Sequence, residues 1–80
     1  MYFFTYIIYS KSLDRYYIGS TKDVSQRVEE NKFSTQGFTS LAKDWELKYV
    51  ESLATRSLAL KREVQIKRWK SRKIIEKLIG

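Results

Sequence analysis

The stretch Tyr6-Ile7-Ile8-Tyr9-Ser10-Lys11-Ser12-Leu13-Asp14-Arg15-Tyr16-Tyr17-Ile18-Gly19 decides how this chain begins to fold. Residues 2–10 and 15–20 are two runs rich in aromatic and β-branched residues, and they flank the turn-forming Lys11-Ser12-Leu13-Asp14. This is the pattern of a β-hairpin. The loop has an even number of residues, so odd positions on one strand face even positions on the other. Pairing Ser10 with Arg15 sets Ile8 opposite Tyr17 and Tyr6 opposite Gly19. Tyr6 and Tyr17 then share one face, diagonally adjacent.

Downstream of the hairpin, Ser20-Thr21-Lys22-Asp23 has the S-x-x-D shape of a capping box. Val24, Arg27, Val28 and Asn31 follow at helical spacing, which turns Arg27 and Asn31 back over the hairpin. Residues 32–44, from Lys32-Phe33-Ser34-Thr35-Gln36 onward, lack periodicity and read as a loop with a short helical turn. Trp45-Glu46-Leu47-Lys48-Tyr49-Val50-Glu51 alternates apolar and charged residues as a half-buried strand does. A long helix is expected from Thr55 or Ser57 to about Lys70. Ala59, Glu63, Ile66 and Trp69 lie on its broad inner face, widened by Leu60 and Val64. Ser71 caps or kinks it, and Ile74, Ile75, Leu78 and Ile79 form the stripe of a last helix ending at Gly80. The order β-β-α-β-α-α defines an α+β chain.

Eighty residues, of which 42% are apolar and 15% aromatic, suffice for one small core and so for one expected domain spanning residues 1–80. Sixteen Lys and Arg against nine Asp and Glu leave a net charge of +7, which attracts polyanions, with nucleic acid the first candidate. With no Cys and no His, the chain has no thiol nucleophile, no disulfide, and neither the usual zinc ligands nor the commonest acid–base group. The apolar start, residues 1–9, is too short to span a bilayer and lacks the features of a signal peptide, so a cytoplasmic protein without a membrane partner is expected.

Glu63 is the most informative single residue. A carboxylate between Ala59 and Ile66 on an inward helix face requires a cationic partner, and that partner is either an arginine or a metal ion. One carboxylate can hold one Mg²⁺ that keeps most of its waters, whereas a two-metal site needs further carboxylates. Asp14, Asp23, Glu29, Glu30 and Glu76 read as solvated. Tyr6 and Tyr17 are either core aromatics or phenols that orient or deprotonate a water. For the second role a pKa of about 10 has to be lowered by Arg27 and a metal. Gly19 either admits a phosphate or marks a strand end or bulge. Arg56, Lys61, Arg62, Lys67, Arg68, Lys70, Arg72, Lys73 and Lys77 crowd the last two helices with only Glu63 and Glu76 as acids. They form either a phosphate-contacting surface or a solvated face.

Taken together, these residues resemble the GIY-YIG nuclease superfamily, in particular small stand-alone domains related to the nuclease module of the bacterial excision-repair endonuclease. The first motif is the degenerate Phe4-Thr5-Tyr6-Ile7-Ile8-Tyr9, and the second is Tyr17-Ile18-Gly19 followed by Ser20-Thr21. Arg27 follows at the family's spacing. Ala59-Leu60-Lys61-Arg62-Glu63 with Ile66-Lys67-Arg68-Trp69-Lys70-Ser71-Arg72 is similar to the helix bearing the family's metal-binding glutamate.

The resemblance implies a three-stranded sheet flanked by helices and a metal-dependent endonuclease acting on DNA. In that reading Tyr6 and Tyr17 position or activate water, Arg27 stabilises the phosphate, and Glu63 ligates a single Mg²⁺ or Mn²⁺. Nucleic-acid contacts then fall to Gly19, Asn31, Lys61, Arg62, Lys67, Arg68, Lys70, Arg72 and Lys73. Structure-specific cutting in DNA repair or recombination is the expected role, with RNA a further substrate candidate and a protein partner a candidate source of specificity. The chain departs from the pattern at Phe4, where the name motif has Gly, and at Asn31, where such members often carry a His; an asparagine hydrogen-bonds but shuttles no proton. Two other readings stand beside the nuclease: a catalytically weak nucleic-acid-binding module of the same fold, and a basic amphipathic last helix docking on an acidic partner or membrane surface.

Overall fold

The computed structural model describes residues 2–32 and 37–80. The hairpin forms in the expected register: β1 (Phe3–Ser10) pairs antiparallel with β2 (Arg15–Thr21), with Ser10 opposite Arg15, Ile8 opposite Tyr17 and Tyr6 opposite Gly19. Strand β3 (Trp45–Leu53) pairs antiparallel with the other edge of β1, giving the sheet order β2-β1-β3. Helices α1 (Val24–Lys32), α2 (Arg56–Trp69) and α3 (Arg72–Ile79) complete the α+β order β-β-α-β-α-α. A single 3₁₀ turn at Phe38–Leu41 is the short helical turn expected in the loop, of which residues 33–36 lie outside the described residues.

Because β1 is central and covered on both sides, its middle reads as an unbroken apolar run. Tyr6 and Ile8 point to one face, where they pack with Ala42 and Trp45 beneath Val24 and Val28 of α1. Ile7 points to the other, where it meets Ile18, Ile66 of α2 and Ile75 of α3. The turn is closed by Asp44, whose carboxylate accepts from Ser10 Oγ at 2.6 Å, the Ser12 amide at 2.9 Å and Ser12 Oγ at 3.0 Å.

Three sequence expectations need correction. The cap of α1 is Asp23, not Ser20: its Oδ1 accepts from the Gln26 amide at 3.0 Å, while the strand ladder, reaching Phe4 opposite Thr21, keeps Ser20 extended. Leu60 and Val64 do not widen the buried face of α2. They are 44% and 46% exposed, because a helix lying on a sheet buries only a narrow stripe, here Ala59 and Ile66. Asp14 and Glu76 are paired, not merely solvated. Arg72 at the start of α3 stacks over Tyr9 and Tyr16, donates to Asp14 Oδ2 at 3.0 Å and pairs with Glu76 at 3.5 Å.

This clamp ties α3 to the hairpin turn. Hydrogen bonds from Arg72 and then Tyr9 hold the Asp14 carboxyl well below the usual carboxylate range. A depressed folded-state pKa contributes stability above the unfolded value of about 3.9, and that contribution is lost as pH falls below it. The Asp14→Asn variant should therefore melt below the wild type at neutral pH, and the gap should close as pH drops beneath about 4. Melting curves of both proteins from pH 7 to pH 2 check this; a gap that does not change with pH would refute it.

Candidate active site

The last residues of β2 connect the two faces of the sheet. The pleat turns Gly19 toward α1 and its neighbour Ser20 toward α2. On the α1 side, the Tyr6 ring reaches from the central strand across Gly19 toward the sheet edge. A Cβ at Gly19 would lie only 2.5 Å from Tyr6 Oη and 2.7 Å from Cζ. The room left by the missing side chain is thus filled by Tyr6, not held open for a phosphate as a sequence reading allowed. It is also no bulge, since Gly19 pairs regularly with Tyr6.

Tyr6 is 1% exposed, and only its tip matters chemically. Asn31, itself buried, donates Nδ2 to Tyr6 Oη at 3.3 Å. Arg27 faces the same hydroxyl; this contact, and next its bond to Glu30 at 3.1 Å, raise the guanidinium pKa above its ordinary value. Arg27 is thus a fixed positive charge beside the phenol. Asn31 and Arg27 are both directed at the Tyr6 oxygen, which leaves the phenolic hydrogen free to donate elsewhere. Tyr17 shares the face as expected. It is half-buried, edge-on to Trp45 at 6.4 Å between ring centroids.

On the α2 side, Ser20 Oγ donates to Glu63 Oε1 at 2.6 Å, and Lys67 Nζ donates to Oε2 at 2.6 Å. The Glu63 side chain is 17% exposed, whereas Lys67 is 48% exposed and its ammonium lies 6.0 Å from the Tyr17 ring centre. The cationic partner demanded by an inward carboxylate is therefore a lysine one turn along the same helix, not an arginine. Ser20 and Lys67 were not read as partners of Glu63 from sequence. Strand alternation past Gly19 for the first and i, i+4 spacing for the second carried the signal.

The remaining basic candidates divide. Lys67, Lys70 and Arg72 border a groove of about 410 Å³ along the β2 edge together with Arg15 and Tyr16. Arg62 points the other way, bonded to Glu51 of β3 at 3.2 Å and stacked on Trp69 at 5.5 Å. Lys61 and Arg68 flank the outward face of α2 beside Leu60 and Val64. Lys73 is exposed on α3 and is not among the residues lining these grooves.

Glu63 is the carboxylate that could hold a hard cation: its Oε2 accepts from the half-exposed Lys67 ammonium and its Oε1 from Ser20, whose hydroxyl is a further neutral oxygen. Among the described residues no three Asp, Glu, His or Cys side chains gather as a metal cluster.

The GIY-YIG catalytic domain family matches the chain over residues 2–77. Fold and match together define a nuclease-type domain. The chain belongs to the GIY-YIG catalytic domain family. No curated protein and no solved structure matches it. Nucleases of this family generally depend on a divalent metal, and a nuclease domain implies binding to nucleic acid.

Proposed function

We propose that this protein is an endonuclease that hydrolyses DNA phosphodiester bonds by in-line attack of water, using one Mg²⁺ or Mn²⁺ held by Glu63. Structure-specific cutting during repair or recombination is the role that suits it. The observation that carries the reading is the junction at Gly19-Ser20, where consecutive residues of one strand support Tyr6 with Arg27 on one side and Glu63 on the other.

The ion supplies charge to offset the phosphoryl oxygens and to acidify a water. The protein supplies position. Tyr6, locked by Asn31 and by its packing over Gly19, directs its hydroxyl at the attacking water, and Tyr17 shares that task from the diagonal position on the same face. Arg27 holds its positive charge toward the phosphate as negative charge builds. Ser20 fixes the carboxylate rotamer of Glu63.

Incubation with nicked, branched, single-stranded and duplex DNA should give cleavage only when Mg²⁺ or Mn²⁺ is added. The Arg27→Gln variant should cut about 10²-fold more slowly without losing its fold. Salt-dependent binding with no metal-stimulated cutting would instead establish the binding-module reading. The observation favouring that alternative is Lys67, whose ammonium neutralises Glu63 within the protein itself.

A further inference from the structure

A second groove, of about 470 Å³, opens on the α2 side of the same strand end. Phe3, Ala59 and Leu60 are the apolar part of its lining, and Ser20, Thr21, Lys22 and Arg56 the polar part. Leu60 is 44% exposed and Phe3 is half-buried, so an aromatic ring and an aliphatic side chain face solvent together. Its two cations are unneutralised: Lys22 and Arg56 form no ion pair among the described residues, although Arg27, Arg62, Lys67 and Arg72 all do. Among the described residues no acidic one lines the groove.

A groove that joins an aromatic ring and an aliphatic side chain with two cations matches the chemistry of a nucleotide: a flat base for the apolar part and flanking phosphates for the cations. A base held in a duplex must first be unpaired and unstacked to enter such a groove, a cost that an unpaired base largely avoids. The groove also shares Ser20 with Glu63, so its occupant lies next to the proposed cutting position. We propose that this groove receives one unpaired base of the bound strand, stacked on Phe3 and packed on Leu60, with its flanking phosphates on Lys22 and Arg56. The substrate class is then DNA with an unpaired nucleotide beside the scissile bond, such as a flap, gap or bulge. This rests on the nucleic-acid part of the function proposed above and not on catalysis.

The test is a binding measurement on the full chain carrying Glu63→Gln, the variant expected to cut least, with Ca²⁺ in place of Mg²⁺. Fluorescence anisotropy compares a duplex carrying one unpaired 2-aminopurine with the same duplex fully paired. The unpaired form should bind about tenfold more tightly, with 2-aminopurine emission rising on binding as the probe leaves its stacked neighbours. Phe3→Leu should diminish that rise. Leu60→Ser, a neutral change at an exposed position, should bring the preference close to one while leaving affinity for the paired duplex unchanged. Equal affinity for both duplexes, or a Leu60→Ser effect equal on both, overturns the proposal and leaves a plain phosphate-contacting surface. A wild type that binds but never cuts defeats the catalytic reading alone. Absence of binding to either duplex overturns both.

Discussion

Replacing Glu63 by glutamine should lower metal-stimulated cleavage by about 10³-fold while the protein stays folded. Glutamine keeps the volume and an oxygen able to accept from Ser20, so the geometry at the end of β2 is preserved. What disappears is the negative charge, and with it the carboxylate proposed to hold the ion. The stability change should be small, because the bond to the half-exposed Lys67 is an i, i+4 pair contributing about 0.5 kcal/mol. Single-turnover rates with saturating Mn²⁺, read alongside thermal melts, separate the two effects. Cleavage by the variant at the wild-type rate would remove Glu63 from the mechanism.

The second large effect is expected at a residue with no functional groups. Gly19→Ala places a Cβ within 2.5 Å of Tyr6 Oη and 2.7 Å of Cζ, distances that force movement. Tyr6 has little freedom to yield: it is 1% exposed, packed with Ile8 and Trp45, and bonded to Asn31. Such overpacking should cost about 1–3 kcal/mol in stability. Displacing the phenol from its position beside Arg27 should slow cleavage about 10²-fold. Urea unfolding gives the first number, and rates measured well below the melting temperature give the second without interference from unfolded protein. Wild-type stability and rate in Gly19→Ala would mean that the ring does not occupy that space.

Those two residues show what could be read from the sequence and what could not. The hairpin register was legible because pleat period and loop length leave little choice, and it placed Tyr6, Tyr17 and Gly19 correctly relative to one another. Glu63 was legible as an inward carboxylate because helix periodicity is local. Its partners were harder to name. S-x-x-D fits a cap at Ser20, and only the ladder reaching Thr21 shows that the strand wins the competition for this residue. The division of the basic helix residues was not legible at all. Whether an arginine on α2 or α3 faces Glu51, Asp14 or solvent depends on how helices far along the chain settle on the sheet, and charge alone does not encode that. For the same reason the sequence does not set Arg56 apart from the other helix cations or join it to Lys22, although neither forms an ion pair among the described residues.

The central position of β1 has a consequence for the time course of folding. Its partner β2 lies one short turn away and can pair within microseconds, but β3 must return across α1 and the intervening loop before the other edge of β1 is covered. Until it does, an apolar strand with free backbone groups is open to pairing with another chain. During synthesis that interval lasts until Trp45–Leu53 has emerged. Soluble expression of this protein should therefore depend more on the speed of translation between Thr21 and Trp45 than on the stability of the finished fold.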